Sequence, residues 1–424
     1  MASRARTPTS EREALESRQS FDARLGVYVD DVYRIVETPE GLRYSTDRAF
    51  LLFACEVGAR FREVALFGRA VEARERSDYE LPEGVRLIRL PHYPSLAELA
   101  RVSRAAGRTL RAMWTGLDEV DVVWAFGPHP FALALVAMAL ARGRTVVLGV
   151  RQDTVAYYRS RLPSSAWMPI LGGIRALEAS YALLARRLRL TAVGSAIAGR
   201  YRKGTPPLPI VVSLVRESDV AAGAPGRDWG RTIEVLIVGR VEPEKNPMLV
   251  LDALAQLNAR SGGRYRLTWV GRGAMEPAVH RRAEELGLAD WIVFRGYVPF
   301  GSELLELYRK AHVFLHVSLT EGVPQVLVEA LASATPVVAT DVGGVSAALD
   351  GGEAAVMVPP GDLEAVVAAV ERVAGDGYLR DRLIEKGLAL ARAHTLEREA
   401  DRVAVFIADA MDQSRAMTAR RKPS

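Results

Sequence analysis

Thr320-Glu321-Gly322-Val323-Pro324-Gln325-Val326-Leu327-Val328-Glu329-Ala330-Leu331 places two glutamates eight positions apart. Eight residues slightly exceed two helical turns. Gly-Val-Pro cannot lie inside a helix, so the stretch predicts a turn followed by a helix. Pro324 fixes φ and lacks an N–H, which suits the start of that helix, and the apolar Val326, Leu327, Val328, Ala330 and Leu331 bury it. Glu321 then sits on the loop before the helix, and Glu329 one to two turns inside it. Carboxylates flanking a helix N-terminus, where unpaired N–H groups and the positive dipole end attract anions, describe a pocket for a polyhydroxyl group joined to phosphate. An isolated pair at this spacing is more often two surface glutamates on an amphipathic helix, so its surroundings decide its meaning.

Those surroundings repeat a strand–helix rhythm twice. In the second half, β-rich runs fall at Glu234–Val238, Tyr265–Val270, Trp291–Phe294, Val313–Val317, Pro336–Ala339 and Ala355–Val358. Helical stretches fall at Met248–Asn258, Met275–Leu286, Ser302–Ala311, Gln325–Ala334 and Leu363–Ala374. The first half has β-rich runs at Arg24–Val29, Glu63–Phe67, Val85–Arg89, Asp121–Phe126, Thr145–Val150 and Leu190–Val193, with helices at Thr46–Gly58, Phe131–Arg142 and Pro169–Arg186. Such alternation predicts an α/β chain of two Rossmann-like, doubly wound domains, with a ligand held between the carboxyl ends of their strands. The expected division is a disordered tail over 1–20, a first domain over 21–215, a linker over 216–231, a second domain over 232–395, and a C-terminal helix with a basic tail over 396–424. The linker is read from Ala-Ala-Gly-Ala-Pro-Gly-Arg, and the tail ends in Arg420, Arg421 and Lys422.

Composition narrows the class. The 424 residues, 49% of them hydrophobic, suffice for about two cores. The single cysteine, Cys55, excludes a disulfide framework and reads as a buried helical residue. Met1–Ser20 has no apolar core, so it is neither a signal peptide nor an anchor. The longest uncharged stretch, Val122–Ala141, contains Pro128, His129 and Pro130, which split it into a strand, a loop and a helix too short for a bilayer. Residues 101–204 carry 16 Lys and Arg against 5 Asp and Glu, an excess of +11 within a chain of net charge +5. Arg101, Arg104, Arg108 and Arg111 share one helix face, and Arg186, Arg187, Arg189, Arg200, Arg202 and Lys203 form a second cluster. They read as solvated faces or as a surface for anionic lipid headgroups or a phosphorylated acceptor. No aromatic interleaving accompanies them, which argues against nucleic acid.

After the first strand of the second half comes Gly239-Arg240-Val241-Glu242-Pro243-Glu244-Lys245. Gly239 permits a tight turn, and an arginine fork with a lysine point charge can neutralise a diphosphate that gains charge as its sugar leaves. Gly271 and Gly273 permit close approach to a ligand or a tight turn; position 276 is Glu, so the run is not a dinucleotide fingerprint. Gly296-Tyr297-Val298-Pro299 is a strand-end turn whose backbone can read a base edge or be a plain loop.

Gly-Arg-x4-Lys, Val-Gly-x-Gly, Gly-Tyr-Val-Pro, Ser-Leu-Thr-Glu-Gly-Val-Pro-Gln-Val-Leu-Val-Glu-Ala-Leu-Ala and Thr-Pro-Val-Val-Ala-Thr-Asp-Val-Gly-Gly occur in this order. The series resembles the donor domain of the retaining glycosyltransferases of group 1, or family 4, with the GT-B fold. The resemblance is close over about Ile233–Ala374 and holds only in outline before it. It implies a nucleotide-diphosphate sugar donor, no metal, no separate cofactor and retained anomeric configuration. By position, Arg240 and Lys245 would bind the diphosphate and Glu321 the sugar hydroxyls. Glu329 would take the ribose, the backbone near Val298 the base, and the N–H groups of Gln325 and Val326, beside Gly322, the phosphates.

The sequence also departs from that family. A histidine common after the strand Thr145–Val150 is replaced by Arg151-Gln152-Asp153, where Arg151 can hold an anion and Asp153 a hydroxyl. The glycine-rich loop after the first strand is replaced by Val29-Asp30-Asp31-Val32-Tyr33-Arg34, and Ala334 takes a common glycine position. His129 is either a structural loop residue or an acceptor-side group. His312 and His316 share a strand face without a third ligand, so no metal site is expected. The expected function is transfer of a hexose to a lipid-linked or glycan acceptor, in the cytoplasm or at the inner face of a membrane. The alternatives are a sugar-nucleotide epimerase of the same fold and a nucleotide-sugar-binding protein that has lost catalysis.

Overall fold

The computed structural model describes residues 21–39, 41–152, 154–155 and 168–421. The tail over 1–20, Asp153 and Lys422 lie outside the described residues. The chain divides into two units. The first comprises the chain up to Val193, Ile197–Ile210 and the residues from Ala400 on, and the second Gly194–Ala196 and Val211–Glu399.

In the first unit the Val- and aromatic-rich runs pair as a nine-stranded sheet. Its strands are β1 (Phe21–Thr38), β2 (Gly41–Thr46), β3 (Phe61–Glu72), β4 (Tyr79–Glu80), β5 (Val85–Pro91), β6 (Val122–Gly127), β7 (Thr145–Val150), β8 (Arg189–Val193) and β9 (Leu208–Ile210). Parallel strands run β5-β3-β1-β6-β7-β8-β9, as alternation with helices requires. The hairpin is new. Past Tyr28, β1 does not stop in a loop but continues and folds back on β2, with Arg34 opposite Ser45 and Thr38 opposite Gly41. Against β3 its register jumps from Tyr28–Phe67 to Val32–Arg69, so Val29, Asp30 and Asp31 face the single Gly68 as a bulge. This strand and bulge fill the place where the resemblance implies a glycine-rich loop. Trp124, buried at the middle of the sheet, donates its Nε1–H to Thr191 Oγ1 at 3.0 Å.

The second unit has six parallel strands, β10 (Ile233–Val238), β11 (Tyr265–Val270), β12 (Ile292–Gly296), β13 (Val313–His316), β14 (Val337–Thr340) and β15 (Val356–Val358), ordered β12-β11-β10-β13-β14-β15. Chain order reverses direction between β10 and β13, a switch point at whose carboxyl ends a doubly wound sheet takes its ligand. Ala334 follows the helix Gln325–Ala332 with φ 53°, the left-handed conformation that makes glycine common there.

Two boundaries differ from expectation. Residues 216–231 are no linker, because side chains within them are used by the second unit. Ala221 N–H donates to Ala332 O at 2.8 Å, Arg227 donates to Ala334 O at 2.8 Å, and Trp229 stacks edge-on to His312. Its glycines and prolines let the strap follow that surface. The C-terminal helix, Leu396–Arg421, runs into the expected basic tail, and from Ala400 on it belongs to the first unit. There Arg189 donates to Phe406 O at 3.1 Å, and Arg60 pairs with both Glu56 at 2.5 Å and Asp401 at 2.7 Å. Arg60 is fully buried and Glu56 nearly so. Arg60→Ala breaks this buried ion pair and should cost about 3 kcal/mol, read as a lower urea midpoint with an unchanged slope.

Candidate active site

Strand β10 ends at Val238, and the chain turns through Gly239 into a short 3-10 turn at Pro243–Lys245 before the helix Pro247–Ser261. The turn directs Lys245 inward. Its Nζ hydrogen-bonds Glu321 Oε1, which also lies 3.2 Å from Nε2 of His316, the last residue of β13. All three side chains are largely buried. Burial alone would raise the Glu321 carboxyl, but the hydrogen bond from His316 and the charge of Lys245 outweigh it and hold it at about 2. Burial lowers His316, so it meets Glu321 as a neutral imidazole donating Nε2–H. His316 enters the site through its pairing with Glu321 and not as the metal ligand whose absence the sequence implies. His312 sits at the opposite end, where its Nδ1 accepts from Glu234 N–H at 3.1 Å, so the two histidines do not act together.

Loop glycines hold this arrangement. A Cβ on Gly343, where φ is 56°, would come 1.9 Å from Glu321 O, and Gly344 N–H donates to Gly322 O at 3.0 Å. The Gly-Gly after β14 thus nests against the backbone that carries Glu321. Gly271, with φ 138°, and Gly273 do the same one strand away, since Cβ atoms there would lie 2.0 Å from Gly239 O and 2.2 Å from Val241 O. Their close approach is therefore to the neighbouring loop.

Glu329 lies within the helix Gln325–Ala332, buried, and accepts a 2.9 Å hydrogen bond from the Tyr308 hydroxyl. Burial pushes its carboxyl up to about 7 despite that bond. Tyr308, which the sequence did not single out, is itself fixed by Thr335 Oγ1 donating to its carbonyl at 2.6 Å. Gln325 and Val326 open the helix, after Pro324 as its N-cap, so their N–H groups have no intrahelical acceptor. Gly322 is exposed, and Val298 faces the core, leaving its backbone as the part available to a ligand. Arg240 is exposed and pairs with Glu244 at 2.7 Å rather than converging on Lys245.

The acceptor-side candidates lie in the first unit. His129 precedes the helix Pro130–Ala141, with Nδ1 3.0 Å from the Tyr28 hydroxyl and Nε2 3.4 Å from Asp30. Asp30 in turn accepts from Tyr93 Oη at 2.8 Å and from Arg69 at 3.1 Å. Arg151 follows β7 and stacks 4.7 Å over Phe50. Arg101, Arg104, Arg108 and Arg111 line the exposed face of the helix Leu99–Gly116. The second basic cluster is partly spent, with Arg189 on the C-terminal helix and Arg200 paired with Glu178. Among the described residues no helix is long and apolar enough to cross a membrane, and no group of three His, Cys, Asp or Glu could hold a metal. Burial pushes the Cys55 thiol up to about 12.

With this geometry in place, known proteins can be set beside it. Residues 229–389 match the model of glycosyl transferases group 1. The chain is 28% identical over 334 residues to a phosphatidyl-myo-inositol mannosyltransferase of Mycobacterium leprae, covering 75% of this chain and 81% of that one. It is 34% identical over 194 residues to a D-inositol 3-phosphate glycosyltransferase of Stackebrandtia nassauensis, covering 44% and 43%. Sucrose-phosphate synthase from Thermosynechococcus elongatus superimposes with a TM-score of 0.67 at 17% identity over 93% of this chain and 99% of that one. Anabaena HepE in complex with UDP and glucose gives 0.62 at 16% identity over 91% and 100%. The architecture is the GT-B fold of glycosyltransferases. Within the second unit, residues 229–389 carry the similarity to the glycosyl transferases group 1 family.

The two glutamates should be separable by pH. With Glu329 near 7 in the folded chain and near 4.5 unfolded, the folded state binds the extra proton, so stability falls as pH rises between those values. Glu329→Gln should remove that slope and gain up to about 3 kcal/mol over its pH 4 difference from wild type when compared at pH 8. Glu321 contributes in the opposite sense, with stability present above about 4.5 and lost as pH falls toward 2. Urea titrations from pH 3 to 8 measure both.

Proposed function

We propose that the chain is a retaining, metal-independent glycosyltransferase that moves a hexose from a nucleotide-diphosphate sugar to a lipid-linked or glycan acceptor. The observation that carries this reading is Lys245, a buried cation fixed at the switch point by Glu321, which itself stands on the loop just before the open N-terminus of the Gln325–Ala332 helix. A leaving diphosphate gains negative charge in the transition state, and a fixed cation with oriented N–H groups stabilises that charge more than the ground state. Arg240 would exchange Glu244 for phosphate oxygen, an inexpensive step at an exposed pair. Glu321, ionised at any working pH, accepts hydrogen bonds from sugar hydroxyls, and Glu329 accepts from the ribose. A phosphate oxygen then takes the acceptor's proton on the face the donor leaves, so no protein nucleophile is required. The relatives named for mannosyl and other glycosyl transfer, and the UDP and glucose of one structural neighbour, support the donor class.

The exposed arginine face of Leu99–Gly116 supports a peripheral site on an anionic membrane, at its cytoplasmic side. A cavity of about 280 Å³ lies between that face and His92, lined by Arg101, Arg104 and Arg108. Phosphatidylglycerol vesicles should sediment the protein at low salt and release it at about 0.5 M, where the Debye length falls to a few ångströms; salt-insensitive behaviour would remove this part of the reading.

Transfer itself is tested with a panel of nucleotide sugars. At least one should be hydrolysed or transferred, with product NMR showing the donor's anomeric configuration retained and EDTA without effect. Lys245→Ala should lower kcat by about 10²–10³ and Arg240→Ala less, since its exposed charge is more screened. Full turnover in both variants would sink the assignment. Because ribose hydroxyls favour the charged form of Glu329, donor binding at pH 6 should release a proton, measurable as a buffer-dependent binding enthalpy that Glu329→Gln abolishes.

A further inference from the structure

We propose that Arg151 is a phosphate-binding subsite of the first unit, one that holds the phosphate of the acceptor. Only the word acceptor rests on the transferase reading; the anion site stands on this unit's own geometry.

Arg151 leaves the sheet directly after Val150, whose neighbours across β6 and β8 are Gly127 and Ala192, so it stands at the carboxyl ends of parallel strands. Its guanidinium is oriented without being used up. It stacks 4.7 Å over Phe50 and lies 6.0 Å from the Phe126 centroid, and those two rings meet edge-on at 5.0 Å. Stacking fixes the plane and does not occupy the N–H edges. Its nearest charge partner among the described residues is Asp31, at 3.9 Å, which is beyond hydrogen-bond distance. No hydrogen bond among the described residues engages its N–H groups, while 36% of the side-chain surface stays open.

The local charge balance favours an anion. Asp31 is buried in the β1 bulge and feels both Arg151 and Arg48, whereas its neighbour Asp30 is committed to Arg69 and Tyr93 on the other face. Three cations, Arg48, Arg69 and Arg151, thus act on two carboxylates, Asp30 and Asp31. Burial raises the Asp31 carboxyl and lowers the Arg151 guanidinium, so it opposes both charges. A phosphate presents two oxygens to one guanidinium edge and supplies the missing charge. Arginine, with no acceptor and no accessible proton loss, binds here and does not act as a base.

The test uses the full chain with two probes, glycerol 3-phosphate for a soluble phosphate and dihexanoyl phosphatidylglycerol below its micelle concentration for a lipid headgroup. Titrations are run with and without saturating UDP. Failure of UDP to bind would speak against a uracil base in the donor and not against this subsite, and the phosphate probes are then read in its absence. At least one probe should bind the wild type in a salt-sensitive manner, and which one it is identifies the source. Arg151→Gln should weaken that probe about tenfold or more with UDP affinity unchanged, and Arg151→Lys should fall between, keeping the charge and losing the fork. Should Arg151→Gln not fold, the Arg151 Nε–Hε resonance of the wild type, assigned with Arg151→Lys, must move on probe addition. No binding of either probe up to about 10 mM, roughly the weakest affinity a single charge-assisted contact supports, equal binding by the variants, or an unmoved resonance would each overturn the subsite.

Discussion

A buried cation held by a buried carboxylate is the constraint around which the second unit is arranged. Lys245 comes from the turn after β10, Glu321 from the loop after β13, and His316 from the end of β13 itself. Removing two charges from water is costly, and the pair recovers that cost only if both partners are held in good geometry. The glycine nests supply the geometry. Gly343 and Gly344 press the β14 loop onto the backbone of Glu321, while Gly271 and Gly273 press the β11 loop onto that of Gly239 and Val241. Leu319 N–H, donating to Glu244 O at 2.8 Å, ties the two central loops together.

The partners of the glutamates divide their chemistry. Both are buried acids, yet one is held at about 2 by a cation and an imidazole, and the other rises to about 7 with a single phenol hydroxyl as its partner. One is a permanent acceptor of hydrogen bonds at neutral pH; the other changes charge there. Tyr308, locked by Thr335, keeps the Glu329 carboxylate in place in either state.

Much of this was legible in the sequence, and the misses have physical causes. The strand–helix alternation gave both sheets, because buried parallel strands read as short apolar runs, and Pro324 marked the start of the glutamate helix. The hairpin of β1 and β2 was not legible, since Asp30 and Asp31 look like loop residues until their partners Arg69, Tyr93 and Arg151 are known. The strap over 216–231 reads as a linker for the same reason: its partners, from the backbone oxygens Ala332 O and Ala334 O to the ring of His312, lie far along the chain. Arg240 and Lys245 were expected to converge, but Glu244, four residues after Arg240, captures the arginine first. His316 was invisible because its role depends on a partner five residues away across a loop.

The most direct measurement is calorimetric titration of a panel of nucleoside diphosphates and monophosphates into the wild type and Lys245→Ala. At least one diphosphate should bind the wild type, and the variant should lose about tenfold or more of that affinity, the scale of a charge-assisted contact, while the matching monophosphate changes little. A panel in which no diphosphate binds, or in which Lys245→Ala binds as the wild type does, would contradict the placement of the donor at this ion pair.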